Sequence, residues 1–85
     1  MENQTVYVVV TSNDKDNQII SHSTFKTVHE AQDCVYHWYD NYKITLNDRN
    51  VEWKGECFEE PFGAYAWIEH EGIKEFCQSL VVTLP

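Results

Sequence analysis

The chain has 85 residues, of which 42% are hydrophobic and 14% aromatic, and its 14 acidic and 6 basic side chains give a net charge of −8. A chain of this length has room for one hydrophobic core, so we predict a single globular domain over residues 1–85. The negative charge argues against nucleic acid and anionic membranes as direct partners, because both would repel the protein, and it favours a basic protein surface.

The cysteines and the apolar stretches bear on the compartment. Cys34, Cys57 and Cys77 form an odd set without a CxxC motif, which is typical of reduced thiols that act as small apolar core residues. The first residues lack the basic start and the apolar core of a signal peptide, and no stretch approaches the ~20 apolar residues of a membrane span. We therefore expect a cytoplasmic protein.

The first two predicted elements form a hairpin. Residues 5–12, TVYVVVTS, predict a strand because β-branched and aromatic residues dominate. Residues 13–17 are turn formers, and residues 18–25 predict the returning strand. Both faces of the first strand are apolar, which is typical of a central strand. One face carries Val6, Val8 and Val10, and the opposite face carries Tyr7 and Val9.

The next stretch, residues 27–42, predicts a single amphipathic helix that ends near Lys43. Thr27 and Glu30, three residues apart, form a capping-box signature that defines the start of the helix. The apolar stripe consists of Val28, Ala31, Val35, Trp38 and Tyr42.

The polar side of this helix carries a set of potential metal ligands. His29, Asp33 and His37 are spaced at i, i+4 and i+8. A pair at i, i+4 can bind zinc from one helix face, but three ligands on one straight helix cannot surround an ion tetrahedrally. We interpret these residues as a solvated polar face, and the sequence predicts neither a metal nor another cofactor.

The segment after the helix, residues 44–61, is acidic and irregular. Residues 51–53 indicate a short extra strand, and residues 54–61 predict a loop that a proline closes. Trp53 and Phe58 either pin this loop to the core or are presented to a partner. We favour pinning, since large aromatic side chains are mostly buried. The carboxylates near this segment are Asp48, Glu52, Glu56, Glu59 and Glu60.

The last predicted elements form a second hairpin, with strands at residues 64–69 and 73–84 and a turn at residues 70–72. The first of these strands alternates clearly. Ala64 and Ala66 lie on one face and leave room for a helix to pack closely, whereas Tyr65 and Trp67 lie on the other face.

Two hairpins around one helix predict an α+β fold. It is a two-layer sandwich in which the helix packs on an antiparallel four-stranded sheet, in the order ββαββ. One helix covers one face of such a sheet, so the other face stays bare unless the acidic loop folds across it. A bare apolar face of this kind marks a dimer interface or a binding surface. We expect this face to carry Tyr7, Val9, Tyr65 and Trp67.

The sequence contains no signature of an enzyme. It has no glycine-rich phosphate loop, no GxSxG, no HExxH and no cysteine with a clear cationic neighbour. A domain this small also has little room for a pocket that excludes water. We therefore expect a non-catalytic protein.

The leading functional hypothesis is a small acidic inhibitor or adaptor that docks on a basic surface, such as that of a nucleic-acid-binding or defence enzyme. Its spaced carboxylates would mimic DNA. Small acidic proteins of phages and mobile elements offer an analogy, which covers size and charge only. The residues expected to contact the partner are Asp48, Glu52, Trp53, Glu56, Phe58, Glu59, Glu60, Glu69, Glu71 and Glu75.

The alternative hypothesis is a structural or accessory domain that forms a homodimer or a larger homo-oligomer through its aromatic sheet face. The contacts expected for this assembly are Tyr7, Tyr65 and Trp67.

Overall fold

The computed structural model describes residues 4–15 and 19–84 and shows one helix packed on a five-stranded antiparallel sheet. In chain order the elements are β1 Gln4–Asn13, β2 Ile19–Phe25, α1 Val28–Asp48, β3 Trp53–Glu60, β4 Gly63–His70 and β5 Ile73–Leu84. The strands lie side by side in the order β2-β1-β5-β4-β3, which puts β1 and β5 in the interior of the sheet.

The predicted α+β class, with one helix on an antiparallel sheet, is confirmed, but the sheet has five strands and the order is ββαβββ. Of the short strand expected at residues 51–53, only Trp53 lies in a strand, and the loop predicted at residues 54–61 is wrong, because residues 54–60 form most of β3. Part of the loop predicted at residues 13–17 lies outside the described residues.

α1 begins where the Thr27–Glu30 signature predicted, with Thr27 as the N-cap residue. The Thr27 hydroxyl accepts a hydrogen bond from the Glu30 amide at 3.2 Å and donates one to the Glu30 carboxylate at 2.9 Å. The helix continues to Asp48, six residues beyond the end of the predicted stretch. Within the described residues, no helix is long and apolar enough to cross a membrane.

The end of α1 is a Schellman motif. The Val51 amide donates to the Leu46 carbonyl at 2.9 Å, and the Asn50 amide donates to the Asn47 carbonyl at 3.1 Å. Asn50 adopts a left-handed conformation, with φ of 56°, as this motif requires of the residue after the cap. Leu46, in the last turn, is fully buried, so the apolar stripe continues past Tyr42.

The core lies between α1 and the sheet. Ala31 and Val35 of the helix pack with Ala64 and Ala66 of β4, and all four are fully buried. Small side chains on β4 let the helix approach closely, as the sequence indicated. Trp38 packs against this cluster while staying half-buried.

The last three strands form two tight hairpins. Residues 61–62 join β3 to β4, and residues 71–72 join β4 to β5. Glu71 and Gly72 both have positive φ, 51° and 79°, which is the conformation of a type I′ turn and fits the turn predicted there. The tight connections fix the register of β3, β4 and β5, and so decide which side chains share a face.

Candidate binding surface

The open face of the sheet is the side that α1 leaves uncovered. Strand pairing places Phe58 opposite Tyr65, Glu56 opposite Trp67, and Trp67 opposite Phe76. Directly paired residues share a face, and side chains alternate along each strand. On β3, β4 and β5 the open face therefore carries Lys54, Glu56, Phe58, Glu60, Tyr65, Trp67, Glu69, Lys74 and Phe76.

Aromatic rings and carboxylates are combined at one end of this face. The rings of Phe58 and Tyr65 stack with centroids 5.8 Å apart and planes inclined by 2°, and Phe58 remains 42% exposed. The carboxylate side chains around the rings are exposed. We call this surface the β3–β4 patch and define it as Glu56, Phe58, Glu60, Tyr65, Trp67 and Glu69.

A cation already lies against the β3–β4 patch. The Lys74 ammonium is 4.3 Å from the centroid of the Trp67 ring and 5.7 Å from that of Phe76. An ammonium over an aromatic face is attracted by the negative potential of the ring. The contact shows that the surroundings of Trp67 accommodate a basic side chain.

Next to the β3–β4 patch, part of the open face on β1 and β5 is aliphatic, and Gln78, His22 and Thr24 add polar side chains beside it. Val8 of β1 lies opposite Leu80 of β5, and Val6 lies opposite Val82. Leu80 is 41% exposed, and none of these four side chains carries a charge. The open face thus has an aromatic and acidic end on β3–β4 and an uncharged aliphatic region on the interior strands β1 and β5.

The structure brings six of the sequence-predicted contact residues together on this face, namely those of the β3–β4 patch. Three of the six residues come from the segment predicted as a loop, residues 54–61, and three come from the strand predicted at residues 64–69. Sequence reasoning missed Lys74 and Phe76 as members. The hairpin turn at residues 71–72 could have identified both, because it sets the register of β4 and β5. This register pairs Glu69 with Lys74 and Trp67 with Phe76.

The placement of Tyr7 and Val9 on the bare face of the sheet is wrong. Tyr7 packs against the core on the helix side of the sheet, together with Val9, because β1 pairs with β5 in a register that puts Val9 opposite Ser79. Glu75 was expected to contact the partner. It lies instead on the helix side, where its carboxylate contacts Tyr42 and His70.

Trp53 and Glu59 also lie on the helix side of β3. The Trp53 indole nitrogen donates to the Asn47 side chain at 2.9 Å, and its ring meets that of Tyr39 edge-on at 6.1 Å. The pinning interpretation therefore holds for Trp53, whereas Phe58 is presented to solvent. Glu59 is exposed near Tyr36, and burial together with the charge of Glu59 raises the pKa of Tyr36.

The remaining predicted residues gather at the end of the molecule where α1 finishes. Glu52 and Glu71 line a cleft of about 600 Å³ beside Trp53. Arg49 contacts Glu71 at 3.5 Å, so the charge of this acid is already partly balanced. Asp48 is an exposed residue at the last turn of the helix and stays separate from the β3–β4 patch.

Behind this cleft, three polar side chains join α1 to the last hairpin. The His70 Nε2 atom is 2.9 Å from the Glu75 carboxylate and 3.0 Å from the Tyr42 hydroxyl, and this hydroxyl donates to Glu75. Burial raises the pKa of the Glu75 carboxyl. Among the described residues, the buried His70 Nδ1 has no hydrogen-bond partner. The cluster therefore joins α1 to β4 and β5 through side-chain contacts.

Cys34 lies on α1, and Cys57 and Cys77 lie on the helix side of β3 and β5. Burial raises the pKa of Cys77 to about 12, and it also raises the pKa of Cys34 and of Cys57. They therefore stay protonated at neutral pH and behave as apolar side chains.

The helix residues considered as metal ligands form only a weak pair. His29 Nε2 is 3.6 Å from the Asp33 carboxylate, and both side chains are exposed. Within residues 4–15 and 19–84, no group of three or more His, Cys, Asp and Glu side chains is arranged to hold a metal ion.

Comparison of the chain with protein-family models, with curated proteins and with solved structures gave no match.

Proposed function

We propose that the protein is a small, non-catalytic binding domain that docks through its open face onto a basic surface of another protein and acts there as an inhibitor or adaptor. The observation that carries this proposal is the β3–β4 patch, in which the exposed ring of Phe58 stacks on Tyr65 among the carboxylates of Glu56, Glu60 and Glu69. Aromatic anchors surrounded by polar groups supply most of the affinity in protein interfaces.

The charge of the chain supports a basic partner. A net charge of −8 speeds the encounter with a positive surface, and the contact of Lys74 with Trp67 is a local example of the recognition expected from a partner lysine or arginine. The surface of a nucleic-acid-binding enzyme has this character, because it must neutralise phosphates.

The proposal is tested by capturing partners from a lysate of the producing cells with immobilised protein at increasing salt. Glu56→Lys places a positive charge in the β3–β4 patch. Asp40→Lys makes the same change of charge at an exposed site on α1 and serves as the matched control. We expect a captured protein that is released by salt, lost with Glu56→Lys and retained by Asp40→Lys. Capture that is insensitive to salt and to Glu56→Lys would contradict the proposal.

The aliphatic region of the open face on β1 and β5 favours a second candidate function, a homo-oligomeric structural or accessory domain. Val8, Leu80 and Val82 form an uncharged surface on which two copies can pair without bringing carboxylates together. Size-exclusion chromatography with light scattering tests this candidate. A dimer that Leu80→Glu dissociates supports it, and a monomer at high concentration removes it.

A further inference from the structure

β3 forms one edge of the sheet. Among the described residues, β4 is its only strand partner, and α1 lies mainly over β4. The outer backbone edge of β3 is eight residues long and open to an additional strand. Adding a strand to an open sheet edge is a recurring way of recognising an extended peptide.

The two hairpin turns fix which backbone groups of β3 point outward. Residues 61–62 form a two-residue loop, so the flanking pair Glu60 and Gly63 exchanges hydrogen bonds, and such pairs alternate along the ladder. The turn at residues 71–72 gives the same alternation for β4, because its even-numbered residues bond to β5 and its odd-numbered residues to β3. The N–H and C=O groups that point away from the sheet therefore belong to Trp53, Gly55, Cys57 and Glu59.

The side chains along this edge define what a sixth strand would carry. Glu56 and Glu60 lie on the open face with the exposed Phe58 between them, and Glu59 lies on the helix side. Residues of an added strand would stand about 4.5–5.5 Å from these positions. A complementary strand has lysine or arginine on its open-face positions, beside Glu56 and Glu60 and over the exposed ring of Phe58, and apolar residues on its helix-side positions beside Gly55 and Cys57.

We propose that β3 accepts an extended segment of the basic partner as a sixth strand of the sheet, and that this segment alternates basic and apolar residues. This inference rests on the proposed function and specifies how the partner is held. The same glutamates disfavour the β3 of a second copy as the occupant, because like charges facing each other destabilise an antiparallel pair.

Hydrogen exchange with a synthetic peptide tests the main-chain contact directly. The probe is an eight-residue peptide of alternating lysine and valine, and the amides of Gly55, Cys57 and Glu59 report on the outer edge. With the peptide about 10-fold above its dissociation constant, we expect these amides to exchange roughly 10-fold more slowly, since only the free fraction exchanges. The amides of Glu56 and Phe58, already bonded to β4, are the internal reference. Failure of the peptide to bind, or binding without protection of the outward amides, overturns the inference.

A pair of variants separates main-chain pairing from charge. Glu59→Pro removes an outward N–H and a carboxylate, whereas Glu59→Gln removes the carboxylate alone. Proline is tolerated at such edge positions, and far-UV circular dichroism checks the fold. We expect Glu59→Pro to weaken peptide binding about tenfold more than Glu59→Gln, because one hydrogen bond is lost in addition.

A modified peptide makes the same test without changing the protein. N-methylation of the alternate residues that face β3 should abolish binding while keeping every lysine. If the methylated peptide still binds, or if the two Glu59 variants bind equally, strand addition is wrong. The proposed function then still stands or falls on the separate capture experiment with Glu56→Lys and Asp40→Lys.

Discussion

The ring of Phe58 on the edge strand β3 lies parallel to the ring of Tyr65 on β4, with centroids 5.8 Å apart. The stack holds an exposed aromatic side chain in one orientation before any partner arrives. A rigid aromatic anchor loses little conformational freedom on binding, so it contributes more affinity than a mobile one.

We therefore predict that Phe58→Ala weakens binding of the partner by about 2 kcal/mol, or roughly 30-fold in Kd, while the fold is retained. Phe62→Ala is the matched control, because Phe62 is 68% exposed in the loop between β3 and β4 and lies outside the β3–β4 patch. Isothermal titration calorimetry with the purified partner measures the Kd of both variants. An equal loss of affinity in the two variants would show that exposed aromatic area, rather than the stacked pair, is what the partner recognises.

The last two turns of α1 provide a stability prediction. Leu46 is fully buried, whereas Ile44 in the same helix is 54% exposed. We expect Leu46→Ala to lower the free energy of unfolding by about 2–5 kcal/mol, because it leaves a cavity in the core, and Ile44→Ala to change it by less than about 1 kcal/mol. Urea denaturation measures the difference. Similar values for both variants would mean that the helix ends before Leu46, as the sequence predicted.

The helix end shows how far local sequence patterns reach. The period that contains Val28, Ala31, Val35 and Tyr42 also contains Leu46, but the β-branched pair Ile44 and Thr45 concealed the continuation, since such residues are weak helix formers. Asn50 supplies the left-handed residue that ends the helix. The apolar period thus indicated the longer helix, but the low helix propensity of Ile44 and Thr45 led to a prediction that ended too early.

The faces of the sheet show where sequence reasoning stops. In β4, alanines alternate with Tyr65 and Trp67, so the two faces separate by size and were assigned correctly. In β1 the residues on both faces are apolar, so the sequence does not show which face turns toward the helix. The pairing with β5 decides that Tyr7 lies on the helix side and Val8 on the open face. In β3 the acidic residues have low strand propensity, and the tight hairpin with β4 outweighs it.

The close contact between the start of β4, at Gly63 and Ala64, and Ser79 on β5 yields a third prediction. The Ser79 hydroxyl accepts a hydrogen bond from the Ala64 amide at 2.7 Å, and it occupies the space that a side chain on Gly63 would need. Gly63→Ala should therefore destabilise the protein by about 1–3 kcal/mol, through crowding and through displacement of the hydroxyl.

The double variant Gly63→Ala with Ser79→Gly tests this explanation. Removing the Ser79 side chain relieves the crowding, so the cost of Gly63→Ala should be smaller in the Ser79→Gly background. Thermal unfolding of the four proteins in this cycle gives the coupling. Strictly additive effects would show that Gly63 is required for another reason, such as the geometry of the hairpin.

The cluster of Tyr42, His70 and Glu75, which joins α1 to the last hairpin, makes the free energy of unfolding depend on pH through Glu75. Burial raises the pKa of this carboxyl above its ordinary value of 4.5, even though the Tyr42 hydroxyl donates to it. The folded protein therefore holds the proton to a higher pH than the unfolded chain does. The stabilisation from this group is complete below pH 4.5 and is lost as the pH rises through the folded-state pKa.

We expect the stability of the wild-type protein relative to Glu75→Gln to fall over this window and to level off above it. Urea denaturation at a series of pH values measures this difference, and Glu69→Gln, which removes an exposed carboxylate from the same hairpin, is the reference for the loss of one charge. A relative stability that rises with pH would mean that the hydrogen bonds from Tyr42 and His70 outweigh burial and hold Glu75 ionised.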